Sequence, residues 1–334
     1  MGREARALGI GMDAGGGTPP PVPRLGMHVS IAGGLEKMAD RARAFGCESV
    51  QVFSRSPRGG PARVLAPGEV AGCRRVLEEA GVRPLVVHVP YFINLCAADE
   101  GLRAYAVESL AGEFARAARL GAAYVVTHLG RPGEGVAAPD GLALAAASVA
   151  EAFRQAGDAS GPLGDAGGWA GDTGGPPGKA AGDVRLLLEN TAGSGREIGW
   201  RLEELAELLV MVDRASGGRT GICLDTCHAH AAGYDLGGPE GVAAFARRAR
   251  ELFGAGQVRV VHANDALEPA GSHLDRHAAI GAGTIGEAGF SALLAETLFR
   301  DSPFLLETPG SDEERALDLV RLRRIRAGEP LGAA

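Results

Sequence analysis

Nine side chains of two chemical kinds recur along this chain at a spacing that suits a metal centre. His88, His128, Glu189, Asp225, His262 and Glu307 each stand at or near the end of a short apolar run: PLVVHVP, YVVTHLG, VRLLLEN, TGICLDT, VRVVHAN and PFLLET. The gaps between them are 40, 61, 36, 37 and 45 residues. The long gap contains a stretch of 27 residues (157–183) with ten glycines, and without it 34 residues remain. Three more residues accompany the six: His228, three places after Asp225, and the pair Asp275 and His277. Residues i and i+2 share a face of an extended segment, so D-x-H is a ready pair of ligands. Residues i and i+3 do not, so Asp225 and His228 meet only if the chain turns directly after Asp225.

Ordinary roles compete for each residue taken singly. A lone histidine in an apolar strand, such as His28 or His88, is commonly a hydrogen-bonded core residue, and a lone buried carboxylate commonly caps a helix or pairs with arginine. His230 and His273 fall in that ordinary class, and Cys227 reads as packing. Number and position outweigh these readings for the nine. Four carboxylates and five imidazoles buried together need pairing or metal, and arginine is too sparse around them to serve. A nitrogen and oxygen donor set suits Zn²⁺ or Mn²⁺. Nine ligands exceed one tetrahedral site and, with a shared carboxylate, suffice for three.

Such convergence requires elements that bring strand ends together. Eight β-rich segments (25–31, 49–54, 84–90, 124–130, 184–190, 220–226, 258–264 and 303–308) alternate with amphipathic helical stretches. That alternation predicts parallel βα units, and eight of them predict a closed (β/α)₈ TIM barrel, whose active site lies at the C-terminal strand ends. The alternative, a doubly wound open sheet, lacks its usual GxGxxG turn after the first strand. Residues 24–330 are read as one barrel domain, with a disordered tail over 1–23 and a flexible surface insertion over 157–183, where Trp169 is incidental.

Composition sets wide limits. With 334 residues, 46% hydrophobic and 22% charged, the chain can build one large core. No run reaches the roughly 20 apolar residues of a membrane span, and the N-terminal segment lacks the apolar core of a signal peptide. Five scattered cysteines without CxxC spacing fit a reduced, cytoplasmic protein. The net charge of −7 taken alone argues against a nucleic-acid binder, but three divalent cations would offset most of it and concentrate positive charge at the site.

At these residues the sequence resembles the endonuclease IV family of apurinic/apyrimidinic (AP) endonucleases, from about residue 25 to 325. The carrying motifs are GMHVSIAGGL, HVPYFINL, THLG, LLLENTAGSG, CLDTCHAHAAGYDL, HANDALEPAGSHLDRHAAIGAGTIG and FLLETPG. The resemblance implies three zinc ions, with Mn²⁺ an alternative in one site. His88 and His128 would hold one, Glu189 would bridge it to a second completed by Asp225, His262 and Glu307, and His228, Asp275 and His277 would hold the third. It further implies hydrolysis of the phosphodiester 5′ to an abasic deoxyribose, cleaning of blocked 3′ ends, double-stranded DNA as partner, and a monomer. Zinc lowers the pKa of bound water towards about 7, which removes the need for a separate base. Glu189 and Glu307 would orient the nucleophile, and Asn190 and Asn264 would support the ligands. Arg58, Tyr91, Phe92 and Arg276 match positions that contact DNA. The chain departs from the family pattern with Gly59 and Gly60 where an aromatic is common, and with Ala266 and Leu267 where a basic residue often stands.

Two rivals share these features. A one-metal sugar isomerase or epimerase would need only Glu189, Asp225, His262 and Glu307, so His88, His128 and His277 discriminate. A non-catalytic binder of damaged DNA would keep the fold without turnover.

Overall fold

A computed structural model describes residues 23–60, 62–158 and 183–331. The expected tail over 1–23, apart from Pro23, and positions 159–182 of the expected insertion, Trp169 included, lie outside the described residues. Eight parallel strands close a barrel: β1 (Leu25–His28), β2 (Ser49–Phe53), β3 (Leu85–His88), β4 (Tyr124–Thr127), β5 (Arg185–Glu189), β6 (Thr220–Asp225), β7 (Val258–His262) and, closing against β1, the strand Phe304–Leu306. Every strand lies within its predicted segment, ending one to three residues earlier at the mouth, because the chain leaves the ladder where polar side chains gather. A two-stranded antiparallel ribbon, Asp265–Ala266 with His277–Ala278, stands apart from the barrel.

The barrel has two apolar layers. Val86, Val126, Leu187, Cys223, Val260 and Leu305 fill its interior, while the alternate strand residues, such as Val87, Val125, Leu186 and Leu306, pack outward against the helices. This period of two decides where the polar residues go. Each of the six strand-end residues follows an interior residue by two places, so all six point into one mouth.

Local signals fix the surrounding helices. The helix Glu100–Leu120 begins at Asp99, whose side chain accepts from Leu102 N, and stops at Gly121 in the left-handed region at φ 76°. The final helix, Asp312–Arg326, starts with a reciprocal capping box between Ser311 and Glu314. The helix Ala138–Asp158 extends two residues into the span 157–183. Asp158 and Asp183 therefore lie at the end of the barrel opposite the ligand cluster, because β5 runs from there towards Glu189. No helix among the described residues is long and apolar enough to cross a membrane.

Candidate metal centre

All nine predicted ligand residues meet at the mouth. Glu189 is at the centre: its Oε2 lies 3.2 Å from His88 Nε2 and 3.4 Å from His128 Nε2. Its Oε1 lies 2.7 Å from His262 Nδ1. His262 Nδ1 is also 3.3 Å from Glu307 Oε2 and 3.9 Å from Asp225 Oδ2. Asp225 ends β6 and caps the short helix Thr226–Ala231, its Oδ1 accepting from His228 N at 2.8 Å. That cap is the turn the D-x-x-H spacing required, and it brings His228 Nε2 to 3.3 Å from Asp275 Oδ1. His277 Nε2 approaches the same oxygen at 3.2 Å.

Support comes from neutral side chains. Asn264 Nδ2 donates to Asp225 Oδ2 at 2.6 Å, and its Oδ1 accepts from Glu307 N at 2.8 Å. Asn190 Oδ1 accepts from Asp225 N, and its Nδ2 donates to Asp225 O. Both asparagines thus hold residues of the cluster directly. Carbonyls orient three imidazoles: Val89 O that of His88 at 2.6 Å, Asn190 O that of His228 at 2.9 Å, and Glu307 O that of His277 at 3.3 Å.

Two residues stand closer to the chemistry than the sequence reading placed them. Gln51, fully buried on β2, touches both Glu307 and His262. His28, read as a core histidine, has Nδ1 3.6 Å from Glu307 Oε1. The available signal was parity: Ser49, Gln51 and Phe53 alternate with Val50 and Val52.

Burial and neighbouring charges pull the ionisable groups of the cluster in opposite directions. Burial opposes ionisation of Glu189 and Glu307, but neighbouring imidazoles, His128 and His262 for the first and His262 and His28 for the second, hold both carboxyls below the usual range. Burial likewise resists protonation of His88, His228 and His277, yet their carboxylate neighbours raise all three. His262, beside Cys223, Glu307 and Glu189, is raised despite its burial. Burial pushes His28 and His128 down.

The donor set fits divalent cations. Three groups have ligand atoms within 4.8 Å of one another: His88–His128–Glu189, Glu189–Asp225–His262–Glu307 and His228–Asp275–His277. His277 Nε2 lies 3.2 Å from Asp275 Oδ1 without meeting it in hydrogen-bond geometry, and a cation held by both would satisfy the buried nitrogen. Cys223 and Cys227 also lie near such groups. Burial pushes the Cys223 thiol up to about 12 within the apolar interior layer, and Cys227 Sγ donates to Arg276 O at 3.6 Å.

Asp275 and His277 sit on an arm, residues 265–286, fastened by polar anchors. The fully buried Asp265 accepts from the backbone N–H of Ala266, Gly281, Gly283, Ile285 and Gly286. A Cβ on Gly283 would come within 2.4 Å of both Ala266 O and Asp265 Oδ1, so only glycine fits there. His230 bonds Thr284 Oγ1 and Leu236 N. His273, at φ 53°, bonds Ala192 O at 2.9 Å and stands edge-on to Trp200. Both histidines have the ordinary structural roles expected of them.

The four residues matched to DNA contacts sit differently. Arg58 and Arg276 are exposed. Tyr91 is 68% exposed at the rim, its ring centre 5.4 Å from that of Phe53. Phe92 is half-buried, with the Arg55 guanidinium 5.3 Å over its ring and Tyr105 5.5 Å away. Gly59 and Gly60 both adopt φ 89°, where a side chain is strained, and a Cβ on Gly59 would lie 3.7 Å from Phe92. A cavity of about 570 Å³ opens beside the cluster, between Tyr91, Asn94, Tyr105 and Arg131, with His128 and Asp275 on its wall.

Comparison with known proteins follows the same outline. The family described as a xylose isomerase-like TIM barrel matches residues 39–325. A protein of Methanoculleus marisnigri named probable endonuclease 4 is 38% identical over 302 residues, covering 90% of this chain and 97% of its own. The crystal structure of endonuclease IV from Thermus thermophilus superposes with a TM-score of 0.75 at 34% identity, over 92% of this chain and all of that one. A D-tagatose 3-epimerase-like protein shares the fold alone, at TM-score 0.63 and 18% identity over 91% of this chain and 98% of its own.

Proposed function

The chain belongs to the endonuclease IV family, and on that premise we propose that it is a DNA-repair AP endonuclease. It hydrolyses the phosphodiester 5′ to an abasic deoxyribose, leaves a 3′-hydroxyl, and also clears blocked 3′ ends. The observation that carries this reading is the meeting of all nine ligand-type side chains in three adjoining groups at one mouth. An isomerase with one cation would leave His88, His128, His228, Asp275 and His277 without work.

The residues divide by task. His88, His128 and Glu189 would hold one Zn²⁺; Glu189, Asp225, His262 and Glu307 a second; His228, Asp275 and His277 a third, with Mn²⁺ an alternative in one site. When bound, the cations supply Lewis-acid charge for the phosphate oxygens and activate water near neutral pH. Glu189 Oε1 and Glu307 Oε2 both lie within 3.3 Å of His262 Nδ1, and the two carboxylates would orient the attacking water. Asn264 keeps Glu307 and Asp225 in register through one amide. Tyr91 stands over His88 at the rim, its ring centre 5.9 Å from the imidazole, placed to enter the duplex at the lesion. Extruding an abasic nucleotide is cheap because no base pair is broken. The exposed Arg58 and Arg276 would meet backbone phosphates, and Phe92 braces the loop that carries Arg58. The enzyme acts as a monomer in the cytoplasm.

The test is cleavage of a duplex carrying one abasic-site analogue by the zinc-loaded protein, beside a His277→Ala control. Incision 5′ to the lesion, lost in the variant, is the expected result. No incision, with a single metal ion bound per chain, would overturn the reading in favour of the isomerase.

A further inference from the structure

We infer that Gln51 is the positioning residue of the central cation group: it decides which nitrogen of His262 and which oxygen of Glu307 face the cation. The inference rests on the proposal that the cluster holds cations, and it concerns a neutral residue that supplies no ligand.

The Gln51 amide presents a donor to one neighbour and an acceptor to another. Gln51 Nε2 lies 2.6 Å from Glu307 Oε1, and Gln51 Oε1 lies 2.9 Å from His262 Nε2. A carboxylate only accepts, so the amide NH₂ must face Glu307 and the amide carbonyl must face the imidazole. A carbonyl also only accepts, so the His262 proton sits on Nε2. In the cation-loaded protein the bare nitrogen is then Nδ1, the atom that lies within 3.9 Å of Glu189, Asp225 and Glu307. Gln51 Nε2 also lies 3.3 Å from His28 Nδ1. With Oε1 engaged, Glu307 presents Oε2, 3.3 Å from His262 Nδ1. Gln51 is fully buried, so water does not substitute for it.

Chain position explains why one side chain does both jobs. Gln51 pairs with His28 in the β1–β2 register, across the barrel mouth from β7. Its neighbours Val50 and Val52 point outward into the core, and the parity of β2 leaves Gln51 facing inward at the level of the ligands.

Two variants separate the two halves of the role. Gln51→Leu keeps the approximate volume and removes donor and acceptor. Gln51→Glu keeps an acceptor for His262 Nε2 and replaces the donor to Glu307 with a like charge. The full-length chain is stripped of metal and titrated with Co²⁺, followed by its visible absorption and by bound-metal counting against a chelator. Histidine ¹⁵N shifts of the zinc-loaded protein report the tautomer of His262. In Gln51→Leu one cation of the set is expected to bind roughly 10–100-fold more weakly, the loss typical when a group orienting a ligand is removed, and His262 to lose its Nε2–H signature. In Gln51→Glu that signature is expected to remain while the same cation weakens. Unchanged cobalt affinity and tautomer in both variants would overturn the inference. A wild-type chain that binds no cobalt would overturn the cation reading itself, and that outcome is distinct because it appears before any variant is compared.

Discussion

Two regions supply most of the proposed metal centre by different means, with His228 on the short helix that follows β6. Six of the nine ligand-type residues come from strand ends, where the closed backbone ladder sets their direction and spacing. Asp275 and His277 come from the 265–286 arm, whose ladder is a single two-residue ribbon and whose shape depends on side chains, Asp265 above all. Positions on the barrel are over-determined, and losing one ligand leaves the others in place. Positions on the arm depend on a few polar anchors, and losing one anchor displaces ligands several residues away.

The largest expected effect lies on the barrel side. Glu189→Gln removes the carboxylate shared by His88, His128 and His262. It should therefore lower both metal content and abasic-site cleavage by more than the roughly 10–100-fold typical of groups that only orient a ligand. Metal counting and single-turnover kinetics measure this; retention of the full metal complement would remove Glu189 from the shared position.

Asp265→Ala tests the arm. Each buried N–H left without an acceptor costs about 1–3 kcal/mol; of the five, those of Ala266 and Ile285 are buried and the three glycine N–H groups are partly so, so a urea melt should shift by about 2–6 kcal/mol. The sharper readout is selective: the cation of His228, Asp275 and His277 should be lost while the groups built on strand ends keep theirs. Equal loss at all three groups would erase the distinction between the regions.

Acid should weaken both regions together. The carboxylates raise His88, His228, His262 and His277, so these rings hold protons to higher pH than free histidine does. A cation must displace those protons, so its affinity increases with pH and falls in acid, by about one decade per pH unit for each proton displaced. Calorimetric titration in two buffers of different ionisation enthalpy counts the protons released. Zero release would mean the rings are already neutral.

The smallest effect is expected at His273. Asparagine also tolerates its left-handed backbone, so His273→Asn loses little beyond the bond to Ala192 O, about 1 kcal/mol by a thermal melt. A loss of several kcal/mol would make His273 an anchor of the same rank as Asp265.

The same division explains what was legible beforehand. Strand-end ligands could be read because each repeats a pattern, an apolar run followed by a donor, at the rhythm of one βα unit. The turn after Asp225 could be read from D-x-x-H, since only a turn lets that spacing converge. Strand parity alone could turn Gln51 inward, but a neutral amide carries no sign of what it meets there; its importance arises from neighbours 211 and 256 residues away. Asp265 was hidden for a related reason. Its partners are backbone N–H groups, which every residue but proline owns, and sequence spacing does not mark which of them will be left without a carbonyl. The glycines at 59 and 60 could be read only as a departure from the family, until their backbone angles showed that an aromatic side chain would be strained there.

Asp158 and Asp183 mark where the glycine-rich segment leaves and rejoins the barrel, at the end away from the metal cluster. That placement offers a handle. A fluorophore, an affinity sequence or a surface tether joined between these two points would leave the mouth turned towards solution. The enzyme could then be immobilised on a support with every molecule presenting the same face, and a DNA duplex could reach it without crossing the attachment.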